Sequence, residues 1–167
     1  MTELLVRKIS LAKWRDDFSE DSMEIPADPV TSDLRTTGNR LSMWAVPNRE
    51  KEHLKKVLLA MCTTFQALDK VDFVIIEKSD LESAGVQVES SSGKTPIAEL
   101  QKTHRDAVSL NLIRLGKCAA IVKKAIDSNE PIRLPLAEVK KIIADAIESK
   151  QLSVSHLHEK IRKEFEQ

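Results

Sequence analysis

Apolar residues recur along this chain with two different periods, and the switches between them mark its elements. Leu4 to Ile9 alternates weakly, with Leu5, Val6 and Ile9 as apolar members, and predicts a strand. Residues 10–29 carry Asp16, Asp17, Glu20, Asp21 and Glu24 and end on Pro26 and Pro29. They predict a surface loop with one helical turn around Trp14 to Phe18. A hairpin is expected next, from Leu34 to Thr36, through a turn at Thr37, Gly38 and Asn39, and back along Arg40 to Val46. In the returning arm Leu41, Met43 and Ala45 share one face, and Ser42, Trp44 and Val46 share the other. Gly38 and Asn39 tolerate the positive φ that a tight hairpin turn demands.

Past Pro47 the period lengthens. Leu54, Val57, Leu58, Met61, Phe65 and Leu68 predict an amphipathic helix over 49–68, with Asn48 as its N-cap. Val71 to Glu77 is dense in β-branched residues and predicts a central strand covered on both faces. Ser79 to Glu82 fits a capping box that opens a short helical turn stopped by Gly85. Val86 and Val88 suit a short edge strand, and Glu89 to Lys94 reads as a polar linker.

Thr95 and Pro96 then suit the start of the longest helix, over 96–128. Its stripe is Ile97, Leu100, Val108, Leu112, Leu115, Ala119, Val122 and Ile126. A rod of about 30 residues spans ~45 Å, more than the domain needs. Pro131 and Pro135 end it. Leu136 to Ile147 and Val154 to Phe165 predict two closing helices around a break at Ser149 to Ser153. The expected fold is α+β. A small, mostly antiparallel sheet of three to five strands occupies the N-terminal half, residues 1–90. A long central helix and a C-terminal helical hairpin make up residues 95–167, packed with the sheet as one domain.

The chain has 167 residues with 26 basic and 26 acidic side chains, so its net charge is zero. That balance argues against gross nucleic-acid affinity. It is not uniform: residues 1–47 and 48–100 each carry −2, residues 101–130 carry +3 and residues 131–167 carry +1. No apolar run approaches the ~20 residues of a membrane span, and Arg7, Lys8 and Lys13 break up any signal-peptide pattern at the N-terminus. Cys62 and Cys118 sit among apolar neighbours and read as buried free thiols in a reducing cytoplasm.

Reactive-looking residues are few. His104 falls on the apolar stripe of the long helix and can be a ligand or general base, though a core histidine bonded to a backbone carbonyl is the favoured reading. On a helix Asp106, two residues on, faces away from it. Arg35, Thr36, Thr37, Asn39 and Arg40 gather guanidinium and hydroxyl groups at the hairpin tip, which suits a phosphate or carboxylate as well as it suits solvent. Trp44 follows, as a stacking platform or as packing. Gly93-Lys94-Thr95 resembles the end of a phosphate loop, but Val88 stands where its first glycine belongs. His156 and His158 are spaced i, i+2, wrong for a helical metal pair, and no Cys-x-x-Cys occurs. No catalytic, cofactor or metal residue is therefore assigned, and no cofactor is expected. His104, Arg105 and Arg35 are the weak candidates.

These features favour a non-enzymatic cytoplasmic accessory subunit. It would engage a protein partner or a second copy of itself through the helices at 96–167, with no membrane association. The alternative is a ligand-binding protein or enzyme with a cleft between sheet and long helix, built from Arg35, Arg40, Trp44, His104 and Arg105. Nucleic-acid binding through Lys102, Arg105, Lys117, Lys123, Lys124 and the basic residues of the last helix is the third reading.

Overall fold

The computed structural model describes residues 2–15, 25–129 and 131–166. The alternating segments form six strands: β1 (Leu4–Ile9), β2 (Leu41–Val46), β3 (Val71–Glu77), β4 (Gln87–Ser90), β5 (His104–Val108) and β6 (Ile132–Leu134). They make one antiparallel sheet in the order β4-β5-β2-β1-β3-β6. The helices are α1 (Leu11–Trp14), α2 (Ala27–Asp33), α3 (Lys51–Met61), α4 (Lys78–Ser83), α5 (Ala98–Gln101), α6 (Leu112–Ser128), α7 (Leu136–Glu148) and α8 (Glu159–Arg162). The α+β expectation holds, with a long central helix and C-terminal helices. The sheet, however, has six strands rather than three to five, two of them (β5 and β6) from residues 95–167, and the last expected helix is reduced to a 3-10 turn at Val154–His156 and the four residues of α8.

Helices cover the sheet on both sides. Val71, Phe73 and Ile75 of β3 pack in one layer with Leu54 and Leu58 of α3, Val139 and Ile143 of α7, and Ile161 of α8. Val74 and Ile76, pointing the other way, pack with Trp14, Leu34, Leu81 and the Cys118, Ala119, Val122 and Ile126 stripe of α6. A strand buried on both faces is apolar at nearly every position, which is why β3 lacks simple alternation; its buried exception, Asp72, accepts from Arg133 Nε of β6 at 2.7 Å. The alternation of β2 is also as expected: Leu41 and Met43 lie in the α6 layer, and Trp44 and Val46 in the α3 layer.

Three boundaries differ from expectation, each for a physical reason. The long helix begins at Leu112 rather than Pro96. Residues 98–101 form only a short turn, and 104–108 are a strand between β2 and β4. Between Leu100 and Val108 the only apolar residue is Ala107, so no helical stripe continues there. Asn111 then caps the true start, its Oδ1 accepting from Arg114 N at 2.9 Å. At 17 residues, α6 spans about 25 Å rather than ~45 Å.

The hairpin turn forms, but the hairpin does not. Thr37 and Arg40 exchange backbone hydrogen bonds of 3.1 and 3.2 Å around Gly38 (φ 59°) and Asn39 (φ 58°). Residues 34–36 pair with no strand; they descend from α2, with Leu34 wholly buried. The helix over 49–68 also stops early, at Met61, followed by a single 3-10 turn at Cys62–Thr64. Its N-cap position is Glu50, while Asn48 instead accepts from Glu50 N one turn earlier. Trp14 ends α1 rather than starting a turn, and residues 16–24 lie outside the described residues.

One side chain ties the N-terminal helices to the sheet. Asp33, at the end of α2, accepts from Ser10 N at 2.6 Å, from Ser10 Oγ at 3.0 Å and from Trp14 Nε1 at 2.9 Å. Its backbone carbonyl also accepts from Arg7 Nε at 2.9 Å. Trp14 is 1% exposed, so its indole N–H has no recourse to water. Asp33→Ala is therefore expected to cost about 1–3 kcal/mol, read as a lower urea midpoint, and Asp33→Asn, which keeps an acceptor oxygen, to cost less. A D33A midpoint equal to that of the parent chain would remove this role.

Candidate functional site

The sheet forks beside its centre. The β1–β2 ladder holds three residue pairs, from Leu4↔Val46 to Val6↔Trp44. Beyond it β1 stays paired with β3 as far as Ile9↔Asp72, and β2 stays paired with β5 as far as Leu41↔Ala107. Arg7 fills the split: its guanidinium donates to the Ser42 carbonyl, which the missing ladder leaves open, and to the Asp33 carbonyl at the end of α2.

A cavity of about 470 Å³ opens at this fork. Val6, Arg7 and Lys8 line it from β1, Ser42 and Trp44 from β2, and His104 and Asp106 from β5. Arg35, Thr37 and Arg40 come from the 35–40 turn, Ala60, Met61 and Thr64 from the end of α3 and the turn after it, and Ser92 and Lys94 from the segment after β4. The volume lies within the ~300–1,000 Å³ usual for small-molecule pockets.

Strand register accounts for the polar floor. Ser42 is the cross-strand partner of Asp106, and Trp44 that of His104. Ser42 Oγ donates to Asp106 Oδ1 at 3.0 Å, and the Trp44 and His104 rings meet edge to face with centroids 4.9 Å apart. Residues i and i+2 of a strand share a face. His104 and Asp106 therefore both line the cavity, the reverse of what a helix dictates. The other ring nitrogen contact is fixed too: His104 Nδ1 lies 2.7 Å from Ser91 Oγ.

Arg35, Arg40, Trp44 and His104 thus come together, as the cleft alternative required. The cleft lies beside the end of α3, not against the long helix. Arg105 does not join them: its side chain leaves the opposite face of β5 and donates to Glu3 Oε1 from NH2 at 2.7 Å and from Nε at 3.1 Å. Trp44 is 7% exposed and is packing rather than an open stacking platform. Gly93 closes over it so tightly that a Cβ there meets Trp44 Cη2 at 2.7 Å and His104 Cβ at 3.1 Å. The 89–94 segment is accordingly no free linker, being held also by Ser91 N to His104 O and Gly93 N to Gln101 O. Lys94 lines the cavity, but α5 is too short to lend it a helix dipole.

The lining carries five lysine and arginine side chains, a histidine and one carboxylate. Arg40 lies 3.6 Å from Asp106 and 3.9 Å from Glu89. Lys8 Nζ stands 4.5 Å above the Phe65 ring. Burial pushes the Arg7 guanidinium down to about 10, against the opposing pull of Asp33. Burial lowers Lys8 as well, opposed by Asp33 and Asp69, with Arg7 adding to the depression. Both cations would gain from a negative partner. Arg7, Lys8 and Ser42 are absent from the sequence candidates, and Asp106 is set aside there because a helix would turn it away from His104. The two cations that break the apolar run of β1 are the one signal that pointed to them.

The other candidates have local duties. His158 caps α8, its Nδ1 accepting from Lys160 N. His53 lies 3.8 Å from Glu50. Of the supposed basic face, Lys117 donates to Ala84 O, Lys123 bonds Asp127 and Arg105 bonds Glu3. Cys62 and Cys118 are free and buried on opposite sides of the sheet, and burial raises their thiols to about 12 and about 11.

Two outcomes follow. Gly93→Ala is expected to cost about 1–3 kcal/mol by forcing Trp44 or the chain above it aside, measured by denaturant unfolding. Burial lowers the His104 pKa, partly offset by Asp106 and reinforced by Arg105 and Arg7. The unfolded imidazole takes its proton near 6.5 and the folded one only below that. Stability from this group is thus full above that pH and falls as pH drops through the folded value. His104→Gln should remove this part of the acid loss, seen as a smaller difference in urea midpoint between about pH 7.5 and about pH 5. An unchanged difference would assign the acid sensitivity elsewhere.

Comparison with protein-family models, with curated proteins and with solved structures gives no significant match for the chain.

Proposed function

We propose that this protein binds a small anionic ligand in the cleft where β1 and β2 part. The supporting observation is that Arg7, Lys8, Arg35, Arg40 and Lys94 surround one cavity that holds a single carboxylate, Asp106. In a chain of zero net charge, such a concentration is local. Low-dielectric walls, here Val6, Ala60, Met61 and Trp44, strengthen the field of the cations on any anion that enters. Two buried free thiols suit a reducing compartment, in keeping with a cytoplasmic setting.

Titration with inorganic phosphate and with citrate tests the reading. At least one should bind saturably by calorimetry and perturb Trp44 emission. Affinity should fall as salt rises, and Arg35→Ala combined with Lys94→Ala should weaken it about tenfold or more. No saturable binding of either anion would end the reading.

A second reading has one observation in its favour. Leu112 and Ile113, at the start of α6, are 87% and 73% exposed while the rest of the helix stripe is largely covered. An accessory subunit that meets a protein partner or a second copy through its C-terminal helices would use that pair. Among the described residues no helix is long and apolar enough to cross a membrane. Light scattering after size exclusion checks self-association. A dimer abolished by Leu112→Glu with Ile113→Glu supports this reading. A monomer that also captures no partner ends it.

A further inference from the structure

Resting on the anion-site reading, the geometry points to a phosphate monoester of a sugar or other small polyol as the ligand of this cleft. The charge favours a phosphoryl group over a carboxylate. One carboxylate already sits among five basic side chains, so a second monoanion leaves most of the excess standing, whereas a terminal phosphate brings close to two charges. The directions agree. Lys8 comes from β1, Arg35 and Arg40 from the turn, and Lys94 from the segment after β4. Donors arriving from separate elements suit three tetrahedrally disposed oxygens better than two in a plane.

Free phosphate alone does not account for the rest of the cavity. About 470 Å³ is several times its size, and the remaining wall is mixed. Val6, Ala60 and Met61 offer an apolar side for the carbons of a ligand. Asp106, 7% exposed and held by Ser42, is an acceptor for hydroxyl groups, as is customary where a carboxylate meets a polyol. A nucleobase is disfavoured, because Gly93 and the His104 edge already cover the ring of Trp44 that would stack on it.

Calorimetry on the full chain with four probes decides the matter: glucose 6-phosphate, inorganic phosphate, citrate and adenosine monophosphate. Glucose 6-phosphate should bind at least about tenfold tighter than each of the other three. Asp106→Asn should narrow its advantage over inorganic phosphate, with circular dichroism confirming the fold, and the wild-type panel stands without that variant. Citrate binding as tightly as the sugar phosphate overturns the phosphoester assignment and leaves the anion site intact. Inorganic phosphate binding as tightly, or adenosine monophosphate more tightly, overturns the polyol body. Failure of all four probes overturns both this inference and the reading beneath it.

Discussion

Everything at the cleft depends on Arg7 holding two strands apart without letting them separate. Where the β1–β2 ladder ends, the chain owes hydrogen bonds to exposed carbonyls inside a covered sheet. A guanidinium supplies several donors in one rigid plane and spans from Ser42 on β2 to Asp33 on α2. Lysine, with one point of charge on a flexible stem, has no equivalent geometry. The acceptors in these bonds are carbonyls, and the Asp33 carboxylate nearby balances only part of the Arg7 charge where it lines the cavity. Asp33 then passes the constraint outward, through Ser10 and Trp14, to the N-terminal helices.

The position of the cleft follows from the layering. Helices occupy both faces of the sheet, so neither face is open to a ligand as a whole. Its outer edges are the short strands β4 and β6, of four and three residues, which is how sheets commonly limit unwanted pairing. What remains is an interior opening between strands. A fork also lets one side chain layer reach past the sheet, so that residues from β1, β2 and β5 share a cavity with a turn on the far side of β2.

Much of the architecture could be read in advance; the misses include β5 and part of the cleft lining, and, away from the cleft, β6 and the shortened last helix. β3 was legible from its nearly unbroken buried apolar run, and β1 and β4 because Leu5, Val6, Ile9 and Val88 keep an apolar signal among polar neighbours. β5 was not, although it lies inside the sheet between β2 and β4. Three of its five positions are His104, Arg105 and Asp106: two face the cavity, and the middle one meets Glu3 across the sheet. A strand that spends its side chains on polar contacts loses the apolar period by which strands are recognised. Reading it as helix then inverted the relation between His104 and Asp106. The turn at Gly38 and Asn39 was legible from local backbone chemistry, but its first arm was not, since nothing local says that Leu34 belongs to a helix end buried under α6. Arg35, Arg40, Trp44 and His104 were suspected together; Arg7 and Lys8 were overlooked, being ordinary solvated cations until the strand that carries them is seen to part from its neighbour.

The same polar strand bears on stability. A buried carboxylate is costly unless bonded, and Asp106 has Ser42 at 3.0 Å but Arg40 only at 3.6 Å. Arg40 is in turn shared with Glu89 at 3.9 Å, so neither pairing is close. Loose pairs on an open side contribute little to folding, for solvent screens them and holding them costs side-chain entropy. Lys8, whose charged form burial disfavours, is likewise a poor contributor on its own. A fold optimised only for stability would fill this fork with apolar residues, as it fills both layers of β3. The cations gathered there are only partly balanced by Asp106, Glu89, Asp33 and Asp69, a cost that an anion of the proposed kind would offset, and that is the physical reason to regard the fork as a site rather than a flaw in the sheet.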